Sequence, residues 1–225
     1  MSQLLESIEI ETGKNPSASV IWMHGLGADG NDFVPVVNEL ALDSAAVRFV
    51  FPHAPMRPVT INNGYVMRAW YDVSFGDLEG KSRRPDAVGI HESQAQVAAL
   101  IERELGRGSR AERIVLAGFS QGGAIALQTG LRHPQQLAGV MALSTYLPLA
   151  DSLPQEAAAA NKATPVFMAH GLFDPVVPLV MGAGSMTFLS GLGYTVEWHQ
   201  YPMQHSVCAE EIGDIGAWLR KVLNA

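Results

Sequence analysis

Short apolar runs alternate with longer stretches of helical periodicity from about residue 19 to the end of the chain. Val115–Ala117 and Val166–Ala169 are apolar without alternation, as expected of strands that are buried on both faces. Strands that alternate with helices form a mostly parallel sheet with helices on both of its faces, so the sequence predicts an α/β fold. The predicted strands are Leu4–Ile10, Ser19–His24, Val47–Phe51, Arg113–Ala117, Leu137–Leu143, Pro165–His170 and Thr195–Tyr201, and the predicted helices are Asn31–Leu42, Asp86–Leu105, Gln121–Arg132, Pro178–Ser190 and Cys208–Leu223.

Two segments depart from this regular pattern. The opening run, Leu4–Ile10, alternates less cleanly than the others, which is compatible with an antiparallel strand at the edge of the sheet. The segment Pro52–Pro85 shows no clear periodicity but carries many apolar side chains. A loop of that length in a compact domain is usually functional or disordered, and its apolar content argues against disorder.

Composition narrows the class of protein. The 225 residues contain no repeat and no low-complexity linker, which indicates one domain over residues 1–225. With 48% apolar residues and a net charge of −7, the chain has material for a core but no basic patch, so no nucleic-acid partner is expected. A single cysteine, Cys208, excludes an intramolecular disulfide and a four-cysteine metal site.

The sequence also bears on location and assembly. The first residues carry acids where a signal peptide needs bases, and no run approaches the roughly 18 apolar residues of a spanning helix. We therefore expect a cytoplasmic protein without integral membrane association. An apolar flap in Pro52–Pro85 could favour weak self-association, so a monomer and a weak homodimer both remain open.

The pattern G-x-S-x-G occurs at Gly118–Gly122, directly after an apolar strand and before an alanine-rich helix. In this context the serine lies on a strained turn that lifts its hydroxyl above the sheet, while the two glycines avoid collisions with neighbouring elements. The alternative is a glycine-rich tight turn with an incidental serine. We interpret Ser120 as a nucleophile on an α/β-hydrolase fold.

A serine hydroxyl needs a base, and in this fold the partners follow in the order serine, acid, histidine. His205 stands just past the last predicted strand, on the edge of the sheet where Ser120 is expected. Of the other histidines after Ser120, His133 is explained as a helix cap, His170 as the brace of a turn after its strand, and His199 lies inside a strand. Asp174 directly follows a strand between Ser120 and His205. Asp151 is a rival after a longer loop, and Asp214 breaks the order. The predicted triad is Ser120, Asp174 and His205.

A glycine-rich loop, Gly25–Gly30, matches the dinucleotide fingerprint G-x-G-x-x-G. A nucleotide-binding fold would also need an acid about 20 residues later to hold the ribose, and Phe49–His53 contains none. The alternative is an oxyanion hole, for which the backbone amides of Leu26 and Gln121 are the predicted donors. This chemistry requires no metal and no cofactor.

Five segments together resemble the small carboxylesterase and acyl-protein thioesterase family, which is sometimes grouped with the lysophospholipases. The resemblance implies an α/β-hydrolase fold without a separate cap domain, the same triad and the same oxyanion donors. The main prediction is a serine carboxylesterase; an acyl-protein thioesterase or lysophospholipase, and a non-catalytic binding protein, are the alternatives. The segments are His24–Phe33 (HGLGADGNDF), Phe51–Asp72 (FPHAPMRPVTINNGYVMRAWYD), Arg113–Leu127 (RIVLAGFSQGGAIAL), His170–Pro178 (HGLFDPVVP) and Tyr201–Ile212 (YPMQHSVCAEEI).

The apolar segment Pro52–Pro85 predicts the place of the acyl group. Met67, Trp70 and Leu78 are candidate substrate contacts, with Val176 beside the acid loop. The alternative is that Trp70 and Tyr71 anchor the loop to the core. The expected substrate is a small acyl ester or an acylated protein or lipid.

Overall fold

A central sheet of seven strands crosses the computed structural model, which describes residues 4–42, 46–74, 76 and 85–224. The strands are β1 Ser7–Glu11, β2 Ala18–Met23, β3 Val47–Pro52, β4 Met56–Val59, β5 Tyr65–Arg68, β6 Ile114–Phe119, β7 Gly139–Leu143, β8 Val166–Gly171 and β9 Val196–Tyr201. The order in the central sheet is β1-β3-β2-β6-β7-β8-β9, with β1 antiparallel to β3 and the other neighbours parallel. The prediction of an antiparallel edge strand at the start of the chain is confirmed.

Two apolar cores lie on the two faces of this sheet. Along β6, Leu116 belongs to one core while Val115 and Ala117 belong to the other. All of β2 and β8 is buried, which explains why their sequences are apolar at consecutive positions. Because these strands are buried on both faces, they appear in the sequence as short apolar runs between helices, and this pattern predicts the α/β fold.

Helices cover both faces of the sheet. The longest begins after Asp86, whose side chain accepts a hydrogen bond from the amide of Gly89. The predicted helix Asn31–Leu42 is wrong in type, because this segment forms a 3₁₀ helix over Val34–Glu39. It contains three β-branched valines and lacks a side-chain N-cap, both of which disfavour a regular α-helix. The α-helices are α1 Ala87–Gly106, α2 Gln121–Gly130, α3 Leu153–Glu156, α4 Leu179–Gly191 and α5 Ala209–Leu223.

The segment Pro52–Pro85 contains regular structure that periodicity did not predict. Strands β4 and β5 form an antiparallel hairpin, separate from the central sheet. Asn63 and Gly64 both adopt positive φ angles, 55° and 76°, in its turn. An Asn-Gly pair is a strong turn signal, and in this segment it is the sequence feature that indicates a hairpin. The amide of Gly27 donates to the carbonyl of Arg68 at 2.9 Å, which joins the hairpin to the glycine-rich loop.

A wholly buried carboxyl group, that of Glu211, lies in the first turn of α5. Burial, together with the nearby Asp214 carboxylate, raises the pKa of Glu211 from 4.5 to about 8. The unfolded chain releases this proton near the ordinary value, so folding loses stability as the pH rises between about 4.5 and about 8.

Glu211→Gln keeps the side-chain shape but cannot ionise. We therefore expect a melting temperature higher than that of the wild type by about 5 °C or more at pH near 9, with the gain lost near pH 4. Thermal unfolding across this pH range measures the difference. Glu210→Gln, at the exposed neighbouring position, is the control. A gain of equal size at both pH values would contradict the buried-proton explanation.

Candidate active site

The turn between β6 and α2 places Ser120 in a backbone conformation that is rare for a residue with a side chain, with φ 53° and ψ −121°. The flanking glycines permit this turn. A Cβ atom on Gly118 would lie 2.2 Å from the carbonyl carbon of Gly122, and one on Gly122 would lie 2.3 Å from the carbonyl oxygen of Met23. The chain therefore accepts strain at this position to lift the hydroxyl above the sheet.

Three side chains form a continuous hydrogen-bonded chain at the carboxyl edge of the sheet. The Nε2 atom of His205 lies 3.0 Å from the Oγ atom of Ser120. The Nδ1 atom of the same ring lies 2.7 Å from Oδ2 of Asp174. Because an ionised carboxylate only accepts, Nδ1 carries the proton and Nε2 is free to accept from the serine. The structure brings all three predicted residues together.

The acid loop after β8 holds Asp174 as a carboxylate. Its Oδ1 atom accepts hydrogen bonds from the amides of Val176 and Val177, at 2.8 and 2.9 Å. Burial opposes ionisation, but the hydrogen bond from His205 and those two amides outweigh it, and the pKa of Asp174 is lowered. His170 braces the same loop through Nε2, which lies 2.9 Å from the carbonyl oxygen of Val177, as its sequence position predicted.

The rival residues lie elsewhere. His199 pairs with Glu197 on its own strand, at 3.1 Å. Asp214 accepts a hydrogen bond from the hydroxyl of Tyr201. Asp151 belongs to a short 3₁₀ turn, Ala150–Ser152. Among the described residues, neither of these two carboxylates nor the ring of His199 joins the hydrogen bonds between Ser120, His205 and Asp174, so the chain-order argument selected the residues that meet.

The glycine-rich loop is held by two histidines. Burial lowers the pKa of His24 to about 4, so the ring is neutral at ordinary pH. Its Nδ1–H donates to the carbonyl of Gly25 at 2.7 Å, and its Nε2 accepts from the amide of Ala54 at 3.1 Å. The ring of His53 accepts from the amide of Gly30 at 3.0 Å. His53 thus occupies the region where a dinucleotide site would need its acid.

A cavity of about 310 Å³ opens beside the serine and is lined mainly by apolar side chains. Leu26 and Gln121, the residues of the two predicted oxyanion donors, both line it, as does Val176. Most residues of the wall were not predicted from the sequence, because they come from separate segments that meet only in the fold. The apolar and aromatic residues missed in this way are Ile61, Tyr71, Val73, Phe119, Tyr146 and Val177.

The other predicted substrate contacts have different positions. Trp70 is wholly buried, and its Nε1–H donates to the carbonyl of His24 at 2.9 Å, so its contacts are those of an anchor. Met67 lies outside the cavity wall, where its sulfur accepts from the side-chain Nδ2 of Asn62 at 3.3 Å. Leu78 lies outside the residues that the structure describes.

The described part of the chain contains neither a candidate metal site nor a membrane-spanning helix. No group of three or more histidine, cysteine, aspartate or glutamate side chains is arranged to hold a metal ion within residues 4–42, 46–74, 76 and 85–224. Within the same ranges, each helix is too short or too polar to cross a bilayer.

A family model described as Phospholipase/Carboxylesterase matches residues 5–223. The chain belongs to this family. Acyl-protein thioesterase 1 of Gibberella zeae is 41% identical over 214 residues, which cover 92% of this chain and 91% of that protein. Acyl-protein thioesterase 1 of Neurospora crassa is 42% identical over 218 residues, covering 92% and 87% of the two chains.

Solved structures agree with this membership. The crystal structure of Arabidopsis thaliana SOBER1 has a TM-score of 0.83 and 31% identity, and it covers 92% of this chain and 99% of that chain. The crystal structure of Zea mays acyl-protein thioesterase 2 has a TM-score of 0.83 and 26% identity, with 97% and 99% coverage. The predicted α/β-hydrolase fold is confirmed, and the family places the chain among the hydrolases of ester or thioester bonds.

Proposed function

We propose that the chain hydrolyses acyl esters and thioesters through an acyl-enzyme on Ser120, with His205 as general base and Asp174 as the acid that orients it. The observation that carries this proposal is the hydrogen-bonded chain of 3.0 and 2.7 Å from serine to histidine to aspartate, beside an apolar cavity. A histidine fixed in this tautomer can take the serine proton as the hydroxyl attacks.

The reaction has two steps. Ser120 Oγ attacks the carbonyl carbon while His205 Nε2 takes its proton, which gives a tetrahedral intermediate. The carbon–leaving-group bond then breaks, the leaving alcohol or thiol takes the proton from His205, and an ester on Ser120 remains. Water attacks this ester as the same nitrogen removes its proton; the acid leaves and Ser120 regains its hydrogen.

The backbone amides of Leu26 and Gln121 are the proposed donors to the oxyanion. Both residues line the cavity at Ser120, and Gln121 opens α2, whose N-terminus is positive. Losing one such donor typically costs about 3 kcal/mol of transition-state stabilisation. The loop that carries Leu26 is held by the neutral His24, so this donor does not depend on a titration in the neutral pH range.

We call the space beside Ser120 that is lined by Ile61, Val73 and Val176 the acyl cavity. This cavity is the proposed site of the acyl chain. Apolar walls favour a hydrocarbon chain because its burial removes apolar surface from water. Since the relatives are named acyl-protein thioesterases, we propose a long-chain acyl thioester on a protein as the substrate. A lysophospholipid shares the acyl group and differs in its leaving group.

Three substrates distinguish these leaving groups: p-nitrophenyl esters of increasing chain length, a cysteine-acylated peptide and a lysophospholipid. We expect the specificity constant to rise with chain length and to be highest for the thioester peptide. A higher value for the lysophospholipid would replace the thioesterase proposal. A protein that neither turns over any of these substrates nor reacts with an active-site phosphonate would be a binding protein instead.

Val176→Asn tests the cavity wall. Val176 is 44% exposed, so the substitution should not disturb folding, but a polar amide would meet the acyl chain. We expect kcat/KM for long-chain esters to fall about tenfold, with little change for the acetyl ester. Val180→Asn, at a position 75% exposed and outside this cavity, is the matched control. Equal losses for acetyl and long-chain esters would remove Val176 from the acyl site.

A further inference from the structure

The side chain of Gln121 makes two buried hydrogen bonds that the catalytic steps do not use. Only 4% of the residue is exposed. Its Oε1 atom accepts from the amide of Trp70 at 2.8 Å, and its Nε2 atom donates to the carbonyl of Tyr71 at 2.7 Å. One side-chain amide therefore satisfies the N–H group of Trp70 and the carbonyl group of Tyr71, two consecutive residues about 50 positions away in the chain.

Those peptide groups belong to a wall segment, residues 69–73, which runs from β5 toward α1. Tyr71 and Val73 of this segment line the acyl cavity. Its far end is held by the amide of Ile61, which donates to the carbonyl of Val73 at 2.8 Å. Its near end is held by the indole of Trp70, which donates to the carbonyl of His24 in the glycine-rich loop.

The same residue thus belongs to two parts of the site. Its backbone amide is a proposed oxyanion donor, and its side chain holds the wall that an acyl chain would press against. The wall segment also reaches the loop of the other proposed donor, Leu26, through Trp70 and His24. These hydrogen bonds join the wall segment to the backbone of both proposed oxyanion donors.

We propose that the Gln121 side chain is a positioning residue, which couples filling of the acyl cavity to the geometry of the oxyanion hole. The inference rests on the proposed function. Through this link, contacts with a long acyl chain stabilise the transition state and raise kcat, whereas an unlinked cavity would only lower KM. Without the side-chain amide, the wall and the oxyanion donors can move independently.

Gln121→Met removes both hydrogen bonds at nearly constant length. We expect kcat for long-chain p-nitrophenyl esters to fall at least about tenfold, with the loss of one oxyanion donor, about 100-fold, as the upper limit, and kcat for the acetyl ester to fall less than about threefold. Gln128→Met is the matched control, because Gln128 is buried on the same helix but donates to Gln94 on α1, at 2.9 Å. This control should lower the two rates by the same factor.

Gln121→Glu supplies a readout that a purely structural role would not move. A protonated carboxyl reproduces both bonds, with its carbonyl accepting from Trp70 and its hydroxyl donating to Tyr71. An ionised carboxylate instead faces the carbonyl oxygen of Tyr71. We expect the ratio of variant to wild-type kcat on long-chain esters to be near one at low pH and to fall as the pH rises. Taking the ratio at each pH cancels the pH effects that the two proteins share.

The outcomes separate the two proposals. A selective loss of long-chain kcat in Gln121→Met, with a pH-dependent loss in Gln121→Glu, supports the coupling. Equal losses for both chain lengths, or a Gln121→Glu ratio that does not change with pH, overturn it while the hydrolase assignment stands. If the methionine variant fails to fold, the change of the Gln121→Glu ratio with pH still decides. Failure of the proposed function itself is recognised separately, by a wild-type protein without turnover or phosphonate labelling.

Discussion

Replacing Ser120 with alanine is expected to lower kcat for p-nitrophenyl esters by about 10⁵-fold or more, with the protein still folded. The proposed reaction forms its covalent bond at the Oγ atom, which alanine lacks. Residues that act together in such a triad show losses of this size when the nucleophile is removed, while the oxyanion donors leave a small residual rate. The measurement is turnover at saturating ester, together with labelling by an active-site phosphonate.

Folding should survive this change, since the turn is stabilised by backbone contacts. The amide of Ser120 donates to the carbonyl of Leu143, and the hydroxyl of Thr145 donates to the carbonyl of Ser120. Ser144→Ala is a matched control, because Ser144 also follows a central strand with a positive φ of 46°. The control should keep its turnover and its labelling. Comparable turnover by Ser120→Ala would exclude Ser120 as the nucleophile.

The parts of this site that were predictable from sequence depend on position along the chain. Ser120, Asp174 and His205 each follow a strand of the central sheet, and the ends of parallel strands share one edge. Their order therefore selected them among seven histidines and 22 acidic residues. The fold was predictable for a similar reason, since two-sided burial leaves consecutive apolar residues in the central strands.

The rest of the site depends on contacts between distant segments. Trp70 is a large aromatic residue in the apolar loop, which made it a candidate substrate contact, yet its indole is buried and donates to the carbonyl of His24. The cavity wall instead uses Tyr71 and Val73, which periodicity did not distinguish from their neighbours. The side chain of Gln121 gave no local signal either, because both of its partners lie about 50 residues away. Sequence patterns report burial and turns, whereas these pairings exist only after the segments have packed.

Asp174→Asn is expected to lower kcat about 10⁴-fold, through the tautomer of His205. Oδ1 of Asp174 accepts from the amides of Val176 and Val177, so the amide oxygen of an asparagine would take this position. Its NH₂ group would then face Nδ1 of His205 in place of Oδ2, which now lies 2.7 Å away. Nδ1 would have to accept, the proton would move to Nε2, and the ring could no longer take the proton of Ser120.

Two comparisons make this mechanism testable. Asp151→Asn, at the rival acid on the turn Ala150–Ser152, should leave kcat unchanged. The ring protons of His205, followed by NMR, should shift from Nδ1 to Nε2 in Asp174→Asn but not in Asp151→Asn. Phosphonate labelling should slow in parallel with kcat, because both reactions need the serine proton to be removed. An Asp174→Asn variant with near wild-type turnover would show that another group orients the histidine.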